Sequence, residues 1–342
     1  MEYLKTFAQG KTFTLNKNDY SLMKVVYRNN ELTIYTTKRK AVTKETKPPK
    51  WEHSTVIRLT KLSNSEEKIR SLLDLSELRI KMNYDSCPDL VRFYDQNISK
   101  YGDNLYHIIR YDDPLRTFED FVLRDHQNSS LEPLDCFRIA RGALSAFAYL
   151  EENNYVLTQF DAHNLYIASF SEDRRSPCKI MFKGYAGTYL AVNSCIARRH
   201  KFSPPETETQ NIYRSYLFSL GLMILYAIFY TNDKADMFPL DLYNQPKKIK
   251  GLIPQAIQLL HKKKGAKGGE KKPSAIDKVL GIFKPGSKKT ALNGFLEDLL
   301  EVDFLKRKTP RELLSSAYIL KYDELDYKEY KKEVHDYLCA SH

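Results

Sequence analysis

ALSAFAYLEENNYVLTQFDAHNLYI, residues 143–167, is the stretch on which the fold turns. It opens inside a run where Phe137, Ile139, Ala140, Ala143, Leu144, Phe147 and Leu150 recur at helical spacing, an apolar face of about four turns. The polar Glu151-Glu152-Asn153-Asn154 breaks that period as a short turn. Leu157 to Asn164 then crowds Thr158, Gln159, Asp161, His163 and Asn164 into one loop, and two short strand-like pieces follow, Leu165 to Ala168 and Lys179 to Phe182. A long core helix thus delivers the chain into a loop rich in polar and titratable groups.

Outward from this stretch the chain changes character. Upstream, Tyr20 to Tyr27 and Leu32 to Lys38 are rich in β-branched and aromatic residues, and the polar Arg28-Asn29-Asn30-Glu31 between them suits a hairpin turn. Lys38 to Lys50 is charged and proline-bearing, as an exposed loop would be. A third strand follows at Thr55 to Leu62. Ser65, then Lys68, Ile69, Leu72, Leu73 and Leu78, predicts a capped helix. Leu90 to Tyr94 and Leu105 to Tyr111 return to strand character. Downstream, Ser215 to Asn232 holds no charge over 18 residues. That is slightly short of the ~20 apolar residues that span a bilayer, so a helix buried within a domain is expected and no membrane span.

The 342 residues allow a large core, and the five cysteines, at 87, 136, 178, 195 and 339, form no CxxC pair or zinc-like grouping. A cytoplasmic or other reducing intracellular compartment is the expectation. The net charge of +11 is regional: between Asn244 and Thr290 lie 13 lysines and two acids, which account for all of it. Within that region residues 261–273 have no apolar period and read as a solvated loop. Lys262, Lys263, Lys264, Lys271 and Lys272 are the candidates there for contact with RNA or acidic lipid.

Tyr149 to Asn164 resembles the protein kinase sequence in which a Tyr-Leu-His helix end leads, after a turn, into His-Arg-Asp, four residues and Asn. Four further matches follow in order. Lys179 to Gly184 resembles the strand entering Asp-Phe-Gly; Ser203-Pro204-Pro205-Glu206 resembles Ala-Pro-Glu; Ser219 to Tyr226 resembles the core helix; Asp303 to Leu314 resembles Asp-Pro-x-x-Arg-x-Thr-x-x-Glu-Leu-Leu. The resemblance covers about residues 20 to 320 and implies an α+β, two-lobed kinase-like fold. Its expected parts are an N-terminal extension (1–19), a small β-rich N-lobe (20–112), a larger mainly helical C-lobe (113–320) and a tail helix (321–342).

The same resemblance implies that the chemistry is gone. Gln159 stands where kinases place the carboxylate that accepts the substrate proton, and an amide has no useful basicity. Phe182 stands at the magnesium aspartate and offers no oxygen. Arg58, in Thr55-Val56-Ile57-Arg58, replaces the ATP-binding lysine, and its planar fork is not equivalent. The turn at 28–31 lacks the glycines that bring amides close to phosphate, and the lone Gly10 does not replace them. Only Asn164 keeps a catalytic identity, and hydrogen-bonding the backbone of its own loop is its expected role. Glu77 is the candidate helix partner of Arg58, Glu206 and Arg307 the candidate buried ion pair, and Gly184 and Gly221 scaffold glycines. Tyr216 replaces the aspartate that begins the core helix and anchors the catalytic loop, so that loop need not be held in its catalytic shape.

A pseudokinase that binds other proteins as scaffold, allosteric partner or structural subunit is therefore expected, with no cofactor and no metal. Two alternatives stand beside it: an atypical enzyme using Asp161, His163 and Asn164, with Lys183, and polyanion binding through the lysine-rich region. The tail spaces Tyr330, Val334, Tyr337 and Leu338 helically, and docking on its own lobe is expected.

Overall fold

The computed structural model describes residues 12–15, 18–28, 32–39, 55–62, 66–101, 103–112, 116–125, 131, 133–167, 178–182, 184–186, 201–206, 211–232, 234–239, 242, 244–262, 291–324 and 326–327. They belong to a mixed α+β chain that divides into two compact units, Met1–Leu115 and Arg116–His342.

The first unit is built on one antiparallel sheet. Its strands are β1 (Thr12–Leu15), β2 (Asn18–Arg28), β3 (Leu32–Arg39), β4 (Thr55–Lys61), β5 (Phe93–Tyr101) and β6 (Asn104–Asp112), in the order β1-β2-β3-β4-β6-β5. Helix α1 (Glu66–Lys81) joins β4 to β5. The β-branched run Thr55-Val56-Ile57 lies deepest: β4 pairs with β3 on one side and β6 on the other, and Val56, Ile57 and Leu59 are buried. The sheet begins at Thr12 rather than at residue 20, because Thr12–Leu15 pairs with Asn18–Ser21 as a short hairpin arm. The expected strand at Leu90–Tyr94 runs instead from Phe93 to Tyr101. Asp95, Gln96 and Asn97 hid it from a hydrophobic reading. As an edge strand, paired only with β6, it tolerates polar residues that a central strand would not. Ser65 and the turn residues 29–31 lie outside the described residues, as do 40–50.

The second unit is mainly helical. Helices α2 (Pro133–Glu152), α3 (Ile212–Tyr230), α4 (Ile249–Lys262), α5 (Ala291–Leu299) and α6 (Pro310–Leu314) are accompanied by two small antiparallel ladders. One pairs β7 (Tyr155–Leu157) with β10 (Gly184–Ala186), the other β8 (Leu165–Ile167) with β9 (Cys178–Ile180). α3 is apolar all round because it is surrounded: 89% of its most hydrophobic window is buried within the unit, although it is long and apolar enough to cross a membrane. Asn211 caps it by accepting from the amides of Tyr213 and Arg214. Gly221 sits where α3 meets the end of α5, and a Cβ there would lie 2.7 Å from Leu300 Cγ. α6 opens with a capping box in which Thr309 and Glu312 bond each other's backbone amides.

The segment after α6 is helical from Ala317, ahead of the expected boundary at 321. Tyr322 stacks on Phe137 of α2 at 3.6 Å between ring centroids, Arg138 bonds Asp326 at 2.6 Å, and Arg141 bonds Asp323 at 2.5 Å. Tyr322, Asp323 and Asp326 thus dock this segment on α2; the remainder of the tail, with Tyr330 to Leu338, lies outside the described residues. So do Lys263, Lys264, Lys271 and Lys272, while Lys262 ends α4. The cysteines described, Cys87, Cys136 and Cys178, are free thiols buried in the two units.

Candidate functional site

The loop Thr158–Asn164 hangs between the two ladders, entered from β7 and left through β8. Gly184 pairs with Leu157 and the Met181 amide donates to the Asn164 carbonyl at 3.1 Å, so the segment carrying Phe182 runs alongside the loop. Two phenols of α3 fix the loop's entry. Tyr213 Oη donates to the Tyr155 carbonyl at 2.6 Å and accepts from the Leu157 amide at 3.2 Å; Tyr216 Oη donates to the Leu157 carbonyl at 2.9 Å. Tyr216 thus grips the backbone at the loop's entry. A phenol reaches the backbone it must hold, and in a buried setting such hydrogen bonds are costly to leave unmade. Phe160 plugs the loop into the core, edge-on to Phe147 at 4.8 Å and 5.5 Å from the Tyr216 ring.

Inside the loop the polar groups satisfy one another. Asn164 is fully buried; its Oδ1 accepts from the Asp161 amide at 2.9 Å and its Nδ2 donates to the Gln159 carbonyl at 2.5 Å. Asp161, also buried, accepts on Oδ1 from the His163 amide at 2.8 Å and on Oδ2 from Gln159 Nε2. The sequence therefore brings Asp161 and Asn164 together, but both side chains serve as ties of a tight turn. His163 points outward, 70% exposed, with Nδ1 3.2 Å from Glu119 Oε2, and Lys201 Nζ approaches the other oxygen of Glu119 at 3.8 Å. Glu119 was not singled out from the sequence. It becomes a neighbour of the loop because its amide donates to the Ala162 carbonyl at 3.4 Å.

Phe182 is 1% exposed and presents its ring to Tyr155 at 5.7 Å, so its position belongs to the apolar core. Lys183 lies outside the described residues. Among the described residues no three His, Cys, Asp or Glu side chains are grouped to hold a metal ion.

Glu206 and Arg307 do meet. Arg307 Nη1 and Nη2 donate to the two carboxylate oxygens at 2.7 and 3.3 Å, Nε donates to the Glu301 carbonyl at 2.8 Å, and Nη1 also donates to the Arg214 carbonyl at 2.9 Å. The guanidinium lies 4.8 Å from the Phe218 ring of α3. Its side chain is wholly buried, and the bidentate fork with two backbone acceptors offsets the desolvation of both charges.

Arg58 and Glu77 do not meet. Glu77 lies on the outer face of α1, 2.6 Å from Lys81 Nζ one turn on, and that exposed pair lowers its pKa. The inner face of α1 carries Ser76 and Arg79 instead, both buried. Helical phase separates them: Ser76 and Arg79 are three apart and share a side, whereas Glu77 is rotated about 100° from Ser76. Ser76 Oγ is 3.3 Å from His107 Nε2, which is also 3.0 Å from Gln96 Oε1, and Arg79 lies over the Phe93 ring at 4.7 Å. Burial, with the charges of Arg58 and Arg79, pushes the His107 pKa down to about 4, so the ring is neutral at pH 7. This polar layer was missed in the sequence. Its signal was a serine and an arginine on the inner, otherwise apolar, side of a helix.

A scan against protein-family models finds no match to this chain, and neither does a search of curated proteins.

Proposed function

We propose that the chain is a catalytically inactive relative of the protein kinases, a pseudokinase that works by binding other proteins as scaffold, allosteric partner or structural subunit. One contrast carries the reading. Residues matching the scaffold of that family are packed and fully bonded, as in the Glu206–Arg307 pair, while the two positions where phosphoryl transfer needs carboxylates hold Gln159, bonded to Asp161, and a buried Phe182. The order of elements supports it: a sheet unit with its helix after the third long strand, then a helical unit with the loop between paired short strands. Asn164 supports it too, since an amide bonded at both ends within its own loop has a structural occupation. An atypical enzyme built on Asp161, His163 and Asn164 fits the geometry less well, because both oxygens of Asp161 already accept hydrogen bonds from the loop.

The test is nucleotide binding and transfer by the full chain. Neither magnesium-dependent stabilisation by ATP nor transfer of its γ-phosphate to a generic protein substrate is expected, and affinity purification should return a stoichiometric protein partner. Magnesium-dependent stabilisation, with transfer lost in Asp161→Asn, would overturn the reading.

A further inference from the structure

Two helical segments of the second unit carry matching rows of residues. On α2, Leu134, Phe137, Arg138 and Arg141 stand at positions i, i+3, i+4 and i+7, along one side of the helix. In the segment after α6, Ile319, Tyr322, Asp323 and Asp326 repeat those spacings, with an apolar residue and an aromatic first and then two acids where α2 has two bases. The rows meet head to tail. Tyr322 lies flat on Phe137, the ring planes 7° apart, Asp326 Oδ1 accepts from Arg138 Nε at 2.9 Å and Nη2 at 2.6 Å, and Asp323 pairs with Arg141. The later acid thus meets the earlier base, so the helices run antiparallel and the charges fix both direction and register. The α2 side of the seam is shaped without this occupant: Phe137 is also stacked by Phe295 of α5 at 4.8 Å, and Arg138 is steadied by Asp135 of its own helix at 3.7 Å. The occupant's hold is lighter. Its Asp323–Arg141 pair is 39% and 44% exposed, where an ion pair contributes little, and a cavity of about 20 Å³ lined by these eight residues is left in the seam.

We propose that this face of α2 is a docking site for an acidic amphipathic helix of another protein, and that residues 319–326 hold the place until that helix displaces them. The partner helix carries an apolar residue, an aromatic three positions on, and carboxylates four and seven positions on. The aromatic shelf of Phe137 and Leu134 supplies the apolar contact, and the two guanidinium groups select acids and reject bases at the two charged positions. The chain's own segment is a competitor of known chemistry, and a groove that is mostly self-occupied binds an outside helix only in proportion to its open fraction. The proposal rests on the reading of the chain as a protein that binds other proteins, and names the partner's chemistry. It involves no nucleotide, so this test and the ATP test of that reading fail independently.

The test uses the full chain and, as probe, a fluorescein-labelled synthetic peptide of residues 316–329, followed by fluorescence anisotropy. A full-chain variant with Asp323→Lys and Asp326→Lys, whose own segment is repelled from α2, should bind the peptide about tenfold or more tighter than the parent chain does. That variant should refuse a peptide carrying the same two substitutions, and should bind equally a peptide with Leu320→Ser, since Leu320 is 57% exposed and takes no part in the seam. A full-chain variant with Arg138→Glu and Arg141→Glu should show the reverse preference, taking the charge-reversed peptide and refusing the parent one. If this second variant fails to fold, the first decides alone, because its substitutions lie on the displaced segment. Equal binding by the parent chain and the Asp323→Lys, Asp326→Lys variant would overturn the proposal, as would binding indifferent to charge reversal of the peptide. Dimerisation of the parent chain by mutual exchange of the segment, seen in sedimentation, would give the face to a second copy and overturn the outside partner.

Discussion

Arg307 and Arg58 are two arginines drawn out of water in opposite circumstances. Arg307 is wholly enclosed and spends its donors on a bidentate carboxylate and two backbone carbonyls. Arg58 is only partly buried, yet its Nε has no acceptor, and its neighbours in the layer are Arg79 and a neutral His107. The difference teaches where each charge belongs. A charge whose partners come from three separate segments, 206, 214 and 301, is part of what holds a unit together. A charge that stays partly in water is answered there and ties no separate segments together.

The contrast can be broken hardest at Arg307. Arg307→Met should destabilise the second unit by about 3–5 kcal/mol in urea denaturation, because it strands Glu206 and two carbonyls; a loss under about 1 kcal/mol would make the pair ornamental. Next comes the ground on which that pair stands. Gly221→Ala should cost about 1–3 kcal/mol, since the new Cβ meets Leu300 directly before the carbonyl of Glu301. Part of that loss should return in the double variant with Leu300→Val, and a cost that simply adds would refute the steric account.

The basic layer sharpens the contrast through pH. With the folded His107 at about 4 and the unfolded imidazole near its ordinary value of 6.5, only the unfolded chain binds the proton between those values. Stability is therefore full above the unfolded pKa and is lost as pH falls towards the folded one. The loss is on the order of 2 kcal/mol between pH 6.5 and pH 5, and His107→Gln should flatten that part of the profile relative to the parent chain. A variant profile parallel to the parent's would rule the histidine out. Arg58→Gln should change stability by less than about 1 kcal/mol in either direction. Glu77→Ala should change it by at most about 0.5 kcal/mol, as an exposed i,i+4 pair allows. A large loss at Glu77 would mean that it has a partner beyond Lys81.

Much of the fold was legible because its signals are local. The helical period of Phe137 to Leu150 gave α2, the charge-free run gave α3, and β-branched clusters gave β2, β3 and β4. The short strands β7 and β10 escaped: Tyr155–Leu157 and Gly184–Ala186 are three residues each and exist through their pairing with one another. Asn164 could be read as a backbone tie, whereas the grip of Tyr213 and Tyr216 on the loop could not. It depends on the phase with which α3 passes the loop, and no spacing within residues 155–164 encodes it.

By itself the sequence determined much of the inventory: the long helices α2 and α3 and the strands β2, β3 and β4, that neither Gln159 nor Phe182 is a carboxylate, and that Glu206 and Arg307 are both present to pair. Only the tertiary structure decided the assignments among near neighbours. Glu77 turned outward to Lys81 while Ser76 and Arg79 turned inward, and Arg58 was left beside His107 without a carboxylate. The physical reason is that residue type sets what a side chain can do, whereas rotation about a helix and register across a sheet set what it meets.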